Sequence, residues 1–137
     1  MAAIILSLSI FSIYFIEGLN KAYEEILKDN YLSIESVNKM IDNLDIIDNS
    51  QALLLSKKHI QNETSQNEFN ESKFIFNKYL MICENNITEP GEKEQLIKIR
   101  SEYENYIKAI EFTDADISDN IYLSELIPKY RNVKALC

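Results

Sequence analysis

Apolar residues along this chain recur at two kinds of spacing, and the change between them divides it. From Met1 to Ile16 (MAAIILSLSIFSIYFI) no residue is charged, so the run has no polar face. Beyond Gly18, apolar residues stand at Leu19, Tyr23, Ile26, Ile34, Val37, Met40, Ile41, Leu44 and Ile47, separated by three, four or sums of these, which is one face of an amphipathic helix. Phe69, Phe76 and Cys83 are then seven apart, with Leu80 and Ile87 at the alternate positions of a heptad seam that Lys73 alone interrupts. Leu96, Ile99, Tyr103, Tyr106 and Ile110 repeat that spacing, and Leu123, Leu126, Ile127, Tyr130, Val133 and Cys137 begin it a fourth time. The pattern predicts four helices, over about 17–60, 65–87, 90–112 and 121–137.

Turn chemistry sets the boundaries. A break at Asp48-Asn49-Ser50 would give a second helix of roughly 54 Å against a third of roughly 35 Å, a poor match for neighbours. A turn at Gln61 to Thr64 equalises them and leaves Ser65 and Glu68 as a capping box. Pro90 disfavours helical geometry at Glu89 and suits the first helical position itself, while Glu92 and Glu94 place negative charge at the positive end of the third helix. The expected fold is all-α: an antiparallel, up-down four-helix bundle whose long first helix continues from a transmembrane segment and whose fourth helix is truncated. The first helix, about 60 Å long, outruns its neighbours. Leu19, Tyr23, Ile26, Ile34 and Val37 would line an open stem, and burying that stripe against a second copy predicts a homodimer.

Residues 1–16 fall short of the roughly 20 needed to cross a bilayer and lack the basic start and small-residue cleavage site of a secretory signal. They read as the end of a transmembrane helix. The acidic sequence that follows lacks the Lys and Arg of cytoplasmic flanks, so 17–137 are expected to face outward as one domain.

Composition narrows the function classes. Two glycines, two prolines and no tryptophan leave little material for hairpins, and a net charge of −8 without a basic stripe argues against nucleic acid as a partner. Cys83 and Cys137 match no metal or redox spacing, and Cys83 reads as a small core residue. The single histidine, His59, is followed by Ile60 rather than by an acidic residue, and no glycine-rich nucleotide loop is present. No catalysis and no cofactor are expected of this chain.

Two clusters carry candidate chemistry. Lys57, Lys58 and His59, beside the first turn, are expected to face Asp114, Asp116 and Asp119, beside the last, at the tip of the bundle, where a ligand or partner would bind. Alternatively, Asp114, Asp116, Ser118, Asn120 and Glu125 occupy positions one, three, five, seven and twelve of a calcium loop, although Asp119 replaces the glycine such a loop needs for its turn.

The string Asn86-Ile87-Thr88-Glu89-Pro90-Gly91-Glu92-Lys93-Glu94, between two heptad helices and behind an apolar terminal segment, resembles the four-helix-bundle sensor domains of membrane histidine kinases and chemoreceptors, especially the KinB-like kinase sensors. The likeness covers nearly all of Ile13 to Val133. It implies a dimer whose first and fourth helices lead into the bacterial inner membrane, followed by a linker, a dimerisation helix and a kinase core. None of those follows Cys137, so the chain is expected to be a piece of a longer protein, with kinase activity outside it. The functional expectation is a periplasmic, extracytoplasmic sensor of a two-component system. It would detect an unknown small ligand or periplasmic protein and transmit by helix shifts. The alternatives are a calcium-binding helical module over 114–125 and a structural coiled-coil adaptor.

Overall fold

The computed structural model describes residues 2–56, 63–112 and 122–137. Among these the fold is all-α, with no strand: α1 (Ala2–Ser56), α2 (Glu63–Asn85), α3 (Glu92–Glu111), then a π-helical turn (Tyr122–Leu126) that leads into α4 (Ile127–Leu136). The chain divides into two compact units, Met1–Leu32 and Ser33–Cys137, and α1 contributes to both.

The first unit buries almost nothing. Leu8, Phe11, Tyr14, Phe15, Leu19 and Tyr23 are all at least half exposed, and Phe11 stacks on Phe15, with ring centroids 6.4 Å apart. No helix among the described residues is long and apolar enough to cross a membrane.

The second unit has one hydrophobic core to which every helix contributes. Met40, Leu44 and Ile47 come from α1, Phe69, Phe76 and Leu80 from α2, Ile99, Tyr103 and Tyr106 from α3, and Leu126 and Val133 from the π turn and α4. Phe76 and Tyr103 stack at 3.9 Å between centroids, which joins the α2 seam to the α3 seam. Charged pairs tie the rims: Arg100 grips Glu84 through two bonds of 2.7 Å, and Lys73 reaches Glu111 while lying over the Phe69 ring. Lys73, the break in the predicted seam, thus sits beside the core and spends its charge at the surface.

Several details differ from the sequence expectation. Helix α2 is already formed at Glu63, so Thr64 is helical and Ser65, 3% exposed, lies within the helix rather than capping it. Helix α3 starts at Glu92, after Gly91 in left-handed geometry at φ 93°, which only glycine adopts without strain. Pro90 therefore belongs to the turn. The Glu92 carboxylate accepts the Thr88 and Glu89 amides at 2.7 and 3.0 Å, so it closes the turn as well as placing charge at the helix start. Ile87, assigned to the α2 seam, lies beyond the end of α2 and is 42% exposed. Leu123 is also exposed: the π turn shifts the register, so that Tyr122 and Leu126 face inward. Val37 packs against the core instead of extending the open stripe, whereas Leu19, Tyr23, Ile26 and Ile34 are exposed. The predicted stripe therefore loses its last member.

Candidate functional site

Two lines of polar residues on the later part of α1 turn towards other helices of the second unit. Asp45 and Asp48 form the first. Asp48 accepts the hydroxyls of Tyr106 and Tyr122, one on each carboxylate oxygen, both at 3.0 Å. Asp45 accepts the Tyr130 hydroxyl at 2.7 Å and the Lys134 ammonium at 2.7 and 2.8 Å, and Lys134 also donates to the Tyr130 hydroxyl. Three tyrosines on α3, the π turn and α4 are thereby held by two carboxylates one helical turn apart. Burial, with the Asp48 charge second, pushes Tyr122 up to about 12, and the same causes raise Tyr106 further. Tyr130 is raised by burial as well, although Lys134 opposes the shift. These phenols stay protonated through the neutral range and serve as hydrogen-bond donors.

The second line is Ser36, Asn43 and Ser50, seven apart, alternating with Met40 and Ile47. Helix α2 answers with Ser65 and Ser72, seven apart, alternating with Phe69 and Phe76. Alternate layers of this seam are thus filled by small polar side chains, which leave space that Leu or Ile would occupy. That space is a groove of about 480 Å³ between α1 and α2. Ile46, Leu53 and Ile75 form its apolar wall, and Glu68 and Glu71 its acidic rim. Ser50 and Ser72 line it although they are only 2% and 4% exposed, whereas the buried side-chain atoms without a hydrogen-bond partner among the described residues are the Ser36 Oγ and the Tyr103 hydroxyl. Asn43 donates its amide back to the Lys39 carbonyl at 2.8 Å, which leaves its side-chain oxygen for other contacts.

A smaller cavity of about 140 Å³ lies near the end of α4, bordered by Val37, Leu96 and both cysteines. Cys83 and Cys137 are free thiols, and burial raises both, Cys137 to about 11. Protonated thiols of this kind are poor nucleophiles, in line with Cys83 as a core residue.

Of the residues singled out in the sequence, Lys57, Lys58, His59, Asp114, Asp116, Asp119, Ser118 and Asn120 lie outside the described residues. Glu125, the remaining member of the calcium pattern, is exposed on the π turn. Among the described residues no group of three or more His, Cys, Asp or Glu side chains is arranged to hold a metal.

Neither polar line was anticipated. The signal for the first was present: three tyrosines at seam positions whose hydroxyls had to find partners, and two aspartates three apart beside Leu44. The signal for the second was a small polar residue at every seventh position, Ser36, Asn43 and Ser50 and then Ser65 and Ser72.

Fold and site together describe an all-α domain with one closed polar network and one open polar groove. No protein-family model matches the chain, and no curated protein or solved structure is significantly similar to it.

Proposed function

We propose that this chain is the extracytoplasmic sensor portion of a bacterial membrane histidine kinase, built as an antiparallel up-down four-helix bundle that works as a homodimer at the inner membrane. The observation that carries the reading is the character of α1. Its first part is apolar and exposed on every side over 7–16, as a lipid-facing or partner-facing segment must be, and its last part carries the two polar lines that meet α2, α3 and α4. The cross-links support the up-down order: Asn86 at the end of α2 donates to Ser33, while Glu68 and Glu71 near its start share a groove with Ser50 and Leu53. Leu19, Tyr23 and Ile26 supply the stripe for a second copy, and the kinase activity belongs to a domain outside this chain.

A two-part experiment tests this. An alkaline phosphatase fused after Cys137 in bacterial cells should be active and a β-galactosidase at the same place inactive, because only an exported phosphatase folds. With Ile26→Cys in a Cys83→Ser, Cys137→Ser background, oxidation of membranes should give a covalent dimer. An active galactosidase would overturn the outward placement, and a chain that stays monomeric would overturn the symmetric stem.

A further inference from the structure

Two thiols far apart in the sequence come together in the second unit. Cys83, in the last turn of α2, and Cys137, just past the end of α4, border one cavity of about 140 Å³. Both are free, and after burial the next cause that raises Cys137 is the charge of Cys83, an influence that fades with distance. The backbone that carries Cys137 is held in place. Gln95 donates its side-chain amide to the Leu136 carbonyl at 2.7 Å, and the Cys137 amide bonds to the Val133 carbonyl at 3.2 Å.

A second observation concerns Ser36. Its hydroxyl is fully buried and has no hydrogen-bond partner among the described residues, yet it stands beside the Cys83 sulfur, where it favours the anionic form of that thiol. A thiol sulfur is a weak acceptor and a thiolate a much better one. The hydroxyl is therefore unspent while Cys83 keeps its proton, and it gains a partner when the proton leaves. A bound cation is what removes a proton from a buried thiol at neutral pH. Glu92 borders the cavity and no basic side chain among the described residues does, so the surroundings favour positive charge. Hard divalent ions want several oxygen donors and structural zinc wants four ligands, whereas no group of three or more such side chains is arranged for a metal among the described residues. Two thiolates suit a soft, closed-shell, monovalent ion.

We propose that Cys83 and Cys137 form a two-thiolate site for copper(I) or silver(I) in this cavity. Each cysteine gives its proton to solvent as its sulfur bonds to the ion, so two S–H bonds are replaced by two sulfur–metal bonds and no electron is transferred. Ser36 then donates to the Cys83 thiolate and orients it, as outer partners do for metal ligands. Val37, Leu96 and Ile99 keep the remaining wall apolar. Occupancy ties the end of α4 to α2. The assignment goes beyond the sensor reading and does not rest on it.

The probe is silver nitrate, titrated into the reduced full chain in neutral detergent and chloride-free buffer. Native mass spectrometry is expected to give one silver per chain, retained against an excess of reduced glutathione, and one equivalent should protect both cysteines from maleimide. Cys137→Ser should surrender its silver to the same glutathione. Ser36→Ala should weaken silver binding roughly tenfold, the usual cost of losing an outer partner of a ligand, with a urea midpoint no lower than the parent's. Circular dichroism on each variant separates a lost ligand from a lost fold. Two silvers per chain, a cysteine still labelled at one equivalent, silver-linked pairs of chains in light scattering, or parental affinity in Cys137→Ser would overturn the site. Parental affinity in Ser36→Ala would overturn the part assigned to Ser36.

Discussion

On the side of α1 that meets α3 and α4, the Asp45 and Asp48 carboxylates accept three tyrosine hydroxyls and the Lys134 ammonium. On the side that meets α2, Ser36, Ser50 and Ser72 are as deeply buried as core residues, the Ser36 hydroxyl has no hydrogen-bond partner among the described residues, and an open groove lies beside Ser50 and Ser72. One helix thus presents a hydrogen-bonded polar face and an under-filled one, about half a turn apart. A satisfied network specifies a unique packing, because any other arrangement leaves a buried donor or a charge alone. A seam with small side chains in alternate layers forgoes contacts that larger apolar ones would make, and its helices have room to shift. The contrast assigns rigidity to the α1–α3–α4 side and adaptability to the α1–α2 side.

The sharpest way to break the contrast is to remove the acceptor of the closed side. Asp48→Ala leaves the fully buried Tyr106 hydroxyl without a partner and is expected to cost about 2–3 kcal/mol in urea unfolding followed by circular dichroism. Adding Tyr106→Phe should recover about 1 kcal/mol of that loss, since the orphaned hydroxyl goes with it. An Asp48→Ala variant as stable as the parent would show that the network is ornamental.

Alkaline pH probes the same face without mutation. Tyr122 has a pKa of about 12 in the folded state against an ordinary value of 10.0, so the folded form holds its proton over a window in which the unfolded form has lost it. Its contribution is complete below pH 10 and falls as pH rises from 10 towards 12, because deprotonation then favours the unfolded chain. The urea midpoint should decline over that window, together with a late, cooperative rise in phenolate absorbance. Tyr122→Phe should flatten the decline; an unchanged slope would remove Tyr122 from the network.

The smallest effect has the opposite sign and comes from the open face. Ser36→Ala deletes a fully buried hydroxyl that has no hydrogen-bond partner among the described residues, so it is expected to be neutral or to stabilise by up to about 1 kcal/mol in the same urea experiment. A loss above about 1 kcal/mol would mean that the hydroxyl is satisfied, and the two faces would then be alike.

Much of the helical content was legible from residue order. The heptad spacing of Phe69, Phe76 and Cys83 and the run from Leu96 to Ile110 identify core faces that are buried as expected, because a 3.6-residue period admits only one apolar face per helix. Pro90 and Gly91 announced a turn, since both restrict or free the backbone locally. The same reasoning misplaced Ser65, Ile87 and Leu123, where local preference competed with the register of a neighbouring helix.

What the sequence determined alone was the all-α class, the core faces of α2 and α3 and the turn before α3, all of which depend on periodicity and backbone chemistry within about a dozen residues. Only tertiary structure decided that Asp48 would serve Tyr106 and Tyr122, 58 and 74 residues away, and that serines on α1 and α2 would meet across an under-filled seam. A hydroxyl or carboxylate in sequence carries no sign of whether its partner lies across the interface, because hydrogen bonds reach only about 3 Å and the choice of neighbour is made by the packing of whole helices.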